Sequence, residues 1–172
     1  MVRIPALLLA GAAALAAPAA AQAGPLGPDA KVCALGGPAV LVRVVGLKQA
    51  TGRLRLKLYE ANSRDYLGKT SQIERVVVPV DRGGVFDVCL AVPKPGAYVV
   101  SVLHDLDGDN NAESSDGGGV TGNPRVSLGD AITGRKPPLP AVTVRVGSST
   151  VVAPVRLLYK QGLSVGPVRN PV

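Results

Sequence analysis

Residues 54–59 read Leu54-Arg55-Leu56-Lys57-Leu58-Tyr59, with leucine at every second position. Successive side chains of a β-strand point to opposite faces of a sheet. The pattern therefore predicts a strand whose leucines are buried and whose Arg55, Lys57 and Tyr59 lie on the other face. A chain built from such strands needs a second layer to cover the apolar face.

Alternation of this kind recurs in six further runs, at 40–45, 75–80, 85–90, 98–104, 141–146 and 151–159. Turn-forming residues separate the runs, and the short turn at 81–84 predicts a hairpin. Pro79 and Pro154 predict edge strands, since proline cannot donate to a neighbouring strand. No ten-residue window has a helical period, and at most one helical turn is expected at 62–67. We predict an all-β fold, a single antiparallel two-sheet β-sandwich of about seven strands, with a small barrel as the alternative.

The N-terminus has the organisation of a signal peptide. Arg3 precedes an apolar stretch at 4–17, and Ala21-Gln22-Ala23 supplies a small-x-small cleavage site. We predict cleavage before Gly24, which leaves residues 24–172 as one domain in the periplasm or secreted. No other stretch is apolar for the ~20 residues of a transmembrane helix.

The two cysteines and the charge add constraints on class and partners. Cys33 and Cys89 of an exported chain are expected to form a disulfide, with two buried thiols as the alternative. The chain has 19 Lys and Arg against 12 Asp and Glu, a net charge of +7, or about +6 without Arg3. This charge predicts a solvated basic face, with anionic envelope polymers or another envelope protein as partners in the alternative interpretation. Nucleic acid is disfavoured by export and by the scarcity of aromatic residues.

One acidic segment, at 105–116, has the spacing of a calcium-binding loop. With Asp105 as position 1, oxygen ligands fall at positions 1, 3, 5, 7, 9 and 12, where calcium loops place theirs. The backbone carbonyl would serve at position 7. The predicted ligands are Asp105, Asp107, Asp109, Asn111, Glu113 and Asp116.

Two features of this loop depart from the calcium pattern. Asn110 stands at position 6 in place of glycine, which is tolerable because asparagine visits the left-handed region, and Asp116 is shorter than the usual glutamate. The alternative interpretation is a solvated turn within a long loop region at 105–140. His104 precedes the loop; we expect a plain hydrogen-bonded residue, with a second-shell role towards the ligands as the alternative.

Three functions remain open from these residues. The first is a non-enzymatic envelope module with a calcium loop; the second is a metal-assisted hydrolase of envelope material, with His104 as acid or base; the third is an ion-free structural protein. A serine-based site with Ser114 or Ser115 lacks any pattern that would bring its members together.

Residues 96–105, the acidic loop and Gly122-Asn123-Pro124 together resemble the exported bacterial family catalogued as domain of unknown function 2141. The strands around Gly46 and Gly52 and the pair Pro137-Pro138 are similar too, so the resemblance spans about 38–160. It implies an immunoglobulin-like or transthyretin-like β-sandwich in the cell envelope, without an assigned activity. After Pro124 the chain departs from the family pattern, and no ligand role is carried over to that second loop.

Overall fold

The computed structural model describes residues 24–61, 66–68 and 70–172. The predicted signal peptide, 1–23, and most of the predicted helical turn at 62–67 lie outside the described residues. The described residues form ten strands and three short helices, in the order α1 (Ala30–Ala34), β1 (Ala39–Val45), β2 (Arg53–Glu60), β3 (Glu74–Pro79), β4 (Phe86–Ala91), β5 (Gly96–Asp105), β6 (Gly117–Val120), α2 (Leu128–Thr133), α3 (Leu139–Val142), β7 (Val144–Val146), β8 (Val151–Arg156), β9 (Leu158–Gln161) and β10 (Ser164–Gly166). None of the helices in the described part of the chain is long and apolar enough to cross a membrane.

The strands form two separate sheets, as predicted for a sandwich. The small sheet has the order β4-β1-β8, and the large sheet β10-β9-β6-β5-β2-β3, with β7 pairing with the start of β5. All pairings between these strands are antiparallel except that of β1 with β8. β3 and β8 are edge strands, which confirms the prediction from Pro79 and Pro154.

The core lies between the inner faces of the two sheets. β2 contributes its three leucines and β1 its alternate valines, Val40, Val42 and Val44, all fully buried. A smaller cluster covers the opposite face of the large sheet, where Tyr59 and Val99 pack with Val142 of α3. The outer face of β2 is therefore buried at one end, which its own alternation does not indicate.

Four sequence expectations are corrected. The turn at 81–84 is not a hairpin: β3 pairs with β2 and β4 with β1, so this turn carries the chain between sheets. The run 151–159 bends at Leu157 and divides into β8 and β9, one in each sheet, as strands at sandwich corners do. The run 141–146 begins in α3, because Pro138 and Pro140 favour a helix start, and only 144–146 is strand. The described residues form ten strands where about seven are predicted, because 151–159 divides in two and because β6 and β10 lie outside the predicted runs.

The region 105–140 is not a continuous loop, because β6 and α2 lie within it. Glycines at 117–119 give no alternation and disfavour strands in general. Here they are required by close packing: a Cβ at Gly117 would lie 2.3 Å from the ring of Tyr159, and one at Gly119 2.6 Å from Val155. A strand without side chains lets the core residues of β8 and β9 approach its backbone.

The segment before β1 is tied to the edge of β4. Cys33 and Cys89 form the predicted disulfide, with a Cα–Cα distance of 6.0 Å. Leu26 forms a parallel bridge to Val88, and the Asp29 carboxylate accepts the Ala91 amide at 2.8 Å. The N-terminal segment therefore belongs to the folded unit.

We predict that the disulfide stabilises the fold substantially. Its sequence separation of 56 residues corresponds to about 4 kcal/mol in the chain-entropy model. Reduction should lower the melting temperature by roughly 8–16 °C. Cys33→Ala should melt like the reduced protein and be insensitive to reductant; a variant as stable as the oxidised protein contradicts the prediction.

A second prediction concerns Glu74, at the start of β3. Burial and a hydrogen bond with Asp29 raise the pKa of Glu74 to about 7. Because the folded pKa is higher than the unfolded one, protonated Glu74 is favoured by folding, and this stability is present below about pH 4.5 and lost as pH rises through about 7. Glu74→Gln should therefore melt higher than wild type at pH 8 and nearly equally at about pH 4. An equal difference at both pH values argues against the raised pKa.

Candidate functional site

The acidic loop begins where β5 ends, on the outer face of the large sheet. Asp105 is the last residue of β5 and lies opposite Arg53 of β2. Its carboxylate is fully buried and accepts the amides of Gly108 at 2.9 Å and Asn110 at 3.1 Å. These two bonds turn the chain sharply, so that position 1 of the predicted calcium loop organises its first half.

Gly108 and Asn110 make this turn in the left-handed region, with φ of 75° and 72°. The structure confirms the expectation that asparagine replaces glycine at position 6 by adopting this conformation. A Cβ at Gly108 would also lie 2.9 Å from the Arg53 guanidinium, which would have to shift to accommodate it.

Two arginines of β2 hold the backbone of the loop. Arg53 donates to the Gly108 carbonyl, while the two terminal nitrogens of Arg55 donate to the carbonyls of Asn110 and Asn111. The Arg55 Nε lies 3.5 Å from the Asp105 carboxylate, and Arg55 is only 9% exposed. Asn111, whose carbonyl was the predicted ligand at position 7, is therefore engaged by a guanidinium.

Neither arginine is predicted from the sequence to be part of the site. Alternation correctly places Arg55 on the outer face of a strand, but it does not show what covers that face. Only the register of β2 on β5, which brings Arg55 beside Leu103, shows that the loop folds back over it.

Asp116, the predicted ligand at position 12, closes the loop. It is 8% exposed, and its two carboxylate oxygens accept the amides of Leu106 at 3.1 Å and Glu113 at 3.0 Å. One side chain thus joins both ends of the predicted twelve-residue unit.

Three predicted ligands come together at the mouth of the loop. One carboxylate oxygen each of Asp105, Asp107 and Asp109 can lie within 4.8 Å of the others, with Asp107 and Asp109 exposed. The charges of Asp109 and Asp107, in that order, raise the pKa of Glu113, whose side chain is exposed. Hydrogen bonds from Asn111 lower the pKa of Asp109. The arrangement suits a hard cation, since Ca²⁺ binds carboxylate oxygens at about 2.4 Å.

His104 points away from these carboxylates into the core. It is fully buried, with Nδ1 2.6 Å from the Tyr159 hydroxyl and Nε2 2.9 Å from the Thr51 carbonyl. A carbonyl only accepts, so Nε2 donates and Nδ1 accepts from Tyr159. Burial lowers the pKa of His104, partly offset by the Thr51 carbonyl and by the charges of Asp116 and Asp105. Both ring nitrogens of His104 are therefore hydrogen-bonded inside the core, and no hydrogen bond from the ring to a predicted ligand is found among the described residues.

Comparison with known proteins places the chain in a family. A model for uncharacterized proteins conserved in bacteria, domain of unknown function 2141, matches residues 42–152. The chain belongs to this family. The match covers β1 to β8, including the acidic loop and β6. No curated protein and no solved structure matches the chain.

The buried pair of His104 and Tyr159 gives a testable prediction. The Tyr159 hydroxyl donates to His104 and accepts the Lys48 amide at 3.1 Å, and burial raises its pKa to about 12. Tyr159→Phe leaves a ring nitrogen of the buried His104 without its partner and also removes the bond to the Lys48 amide, which should cost about 2 kcal/mol in urea unfolding. Tyr98→Phe, which removes a single bond to the Lys94 carbonyl, is the matched control and should cost less. Equal losses of stability in the two variants would mean that the Tyr159–His104 hydrogen bond stabilises the fold no more than the bond of Tyr98 to Lys94.

Proposed function

We propose that this protein is a non-enzymatic β-sandwich module of the bacterial cell envelope whose acidic loop binds a divalent cation of the calcium type. The observation that carries the proposal is the convergence of Asp105, Asp107 and Asp109, whose oxygens can lie within 4.8 Å of one another. Oxygens bound to one Ca²⁺ at about 2.4 Å are separated by no more than about 5 Å. The N-terminal sequence and the Cys33–Cys89 disulfide support an oxidising location outside the cytosol.

Electrostatics supports a cation at this position. The loop has five carboxylates, and the guanidinium groups of Arg53, Arg55 and Arg75 that contact it leave an excess of two negative charges. The raised pKa of Glu113 reflects this excess, because its neighbours disfavour a further ionised group. A bound divalent ion would relieve the repulsion.

The proposed ligands are oxygens of Asp105, Asp107, Asp109 and Glu113, completed by water. Asp116 and the Asn111 carbonyl hold the backbone instead. Since Arg53 and Arg55 already fix the loop, the ion does not have to order it. With few protein ligands we expect weak binding, at about 10⁻⁴–10⁻³ M, as in extracellular modules.

The hydrolase hypothesis has less support. It requires His104 as acid or base beside the ion, whereas both ring nitrogens of His104 are hydrogen-bonded inside the core. The ion-free structural protein is the remaining alternative, since Arg55 supplies the loop with an internal cation.

Calorimetric titration of calcium into chelator-treated protein tests the proposal. We expect saturable binding and a rise in melting temperature for wild type, and loss of both in the double variant Asp107→Ala, Asp109→Ala. Binding should weaken as the pH falls through the raised pKa of Glu113, because protons compete for the ligand.

Asp81→Ala is the matched control, because Asp81 is an exposed acid in the turn between β3 and β4. It should bind calcium like wild type. Absence of heat and of a melting shift at about 10 mM calcium would leave the ion-free structural protein.

A further inference from the structure

Both edges of the small sheet are covered by other parts of the chain. On β4, the Leu26 amide donates to the Asp87 carbonyl at 2.7 Å, and the Leu26 carbonyl accepts the Cys89 amide at 2.9 Å. Asp29 accepts the next outward amide, that of Ala91, at 2.8 Å. The N-terminal segment thus blocks this edge against pairing with another chain.

On β8, the side-chain amide of Asn123 occupies the backbone groups of the edge. Asn123 donates to the Pro154 carbonyl at 2.9 Å and accepts the Arg156 amide at 2.7 Å. Asn123 is held in the left-handed region, at φ of 48°. Its amide takes the place of a neighbouring strand.

The edge of the large sheet at β3 is not covered in this way by any described residue. The Val80 amide donates to the Gly52 carbonyl of the chain leading into β2, at 3.0 Å. Because residues of an antiparallel pair alternate between inward and outward backbone groups, Val76 and Val78 also face β2, and Arg75 and Val77 face outward. Pro79 ends the edge, since it has no amide hydrogen.

The outer face beside this edge has two basic residues and an exposed valine, and the acidic loop reaches it at Asn110. Lys57 of β2 lies directly opposite Arg75 of β3. Like charges in this arrangement destabilise a sheet, and no acidic partner of either residue is found among the described ion pairs. The one side-chain hydrogen bond described for Arg75 is long, 3.4 Å, to Asn110. Val77, next on the same face, is 43% exposed.

We propose that β3 is a docking edge for an extended acidic segment of a partner protein, which adds a strand beside β3 and places its carboxylates against Arg75 and Lys57. Main-chain bonds to Arg75 and Val77 would supply the pairing, and the charges would supply selectivity. Residues directly opposite each other share a face, so the partner should have acidic residues at every second position. A second copy of this chain is disfavoured as occupant, because it would bring Arg75 and Lys57 against their own charges.

A short synthetic peptide tests this docking edge. The probe is a fluorescently labelled seven-residue peptide of alternating glutamate and valine, capped at both ends, titrated into the purified protein at about 0.15 M salt. We expect saturable binding by fluorescence anisotropy. N-methylation of the amides on one edge of the peptide should abolish binding, because it blocks strand pairing and retains the charge.

Arg75→Glu should weaken binding of the peptide about tenfold or more, whereas Lys160→Glu, the same charge change on β9 of the same sheet, should change it less than about twofold. Melting temperatures establish that both variants are folded. Binding that is unaltered by N-methylation of each of the two peptide edges in turn, an equal loss in both variants, or no binding to wild type would overturn the proposal. Binding of an oligogalacturonate by wild type, lost in Arg75→Glu, with none of the peptide, would show an anionic glycan surface instead.

Discussion

The register of β2 on β5 is the constraint on which the rest of the structure depends. Eight residue pairs align Arg53–Glu60 with Tyr98–Asp105. A slip of one residue would exchange the two faces of β2 and place its leucines outside the core. In the observed register the leucines complete the core, and Arg55 reaches the outer face where the acidic loop begins. The same register therefore positions both the core leucines and the arginine that holds the loop.

This register also separates two neighbouring polar residues. His104 and Asp105 point to opposite faces of β5 and are both fully buried, but their burial is compensated differently. His104 is neutral and bonded to Tyr159 and Thr51, whereas the Asp105 carboxylate accepts two backbone amides and lies beside Arg55. Burying a charge requires such partners, and burying a neutral ring requires only two hydrogen bonds. Although His104 directly precedes Asp105 in the sequence, its ring therefore lies in the core and not in the acidic loop.

The sequence predicted the features that local pattern encodes. Alternation located the strands of the core, the two cysteines indicated the disulfide, and the acid spacing located the loop. It missed β6, because glycine carries no side-chain pattern and its strand exists only through contact with Tyr159 and Val155. It also missed the roles of Arg53 and Arg55, since contacts across strands depend on register, which single strands do not specify. The change of sheet at Leu157 cannot be predicted from the sequence for the same reason.

Because two arginines hold the backbone of the acidic loop, the loop does not depend on a bound ion for its shape. In a loop ordered only by its metal, removing the ion removes the shape as well. Here the backbone is held by Arg53, Arg55 and Asp116, all anchored to the sheet or to the loop ends. An ion bound by the exposed carboxylates would therefore change local charge more than conformation. Because Arg75 approaches Asn110 of the same loop, that charge would be felt at the edge of the large sheet as well.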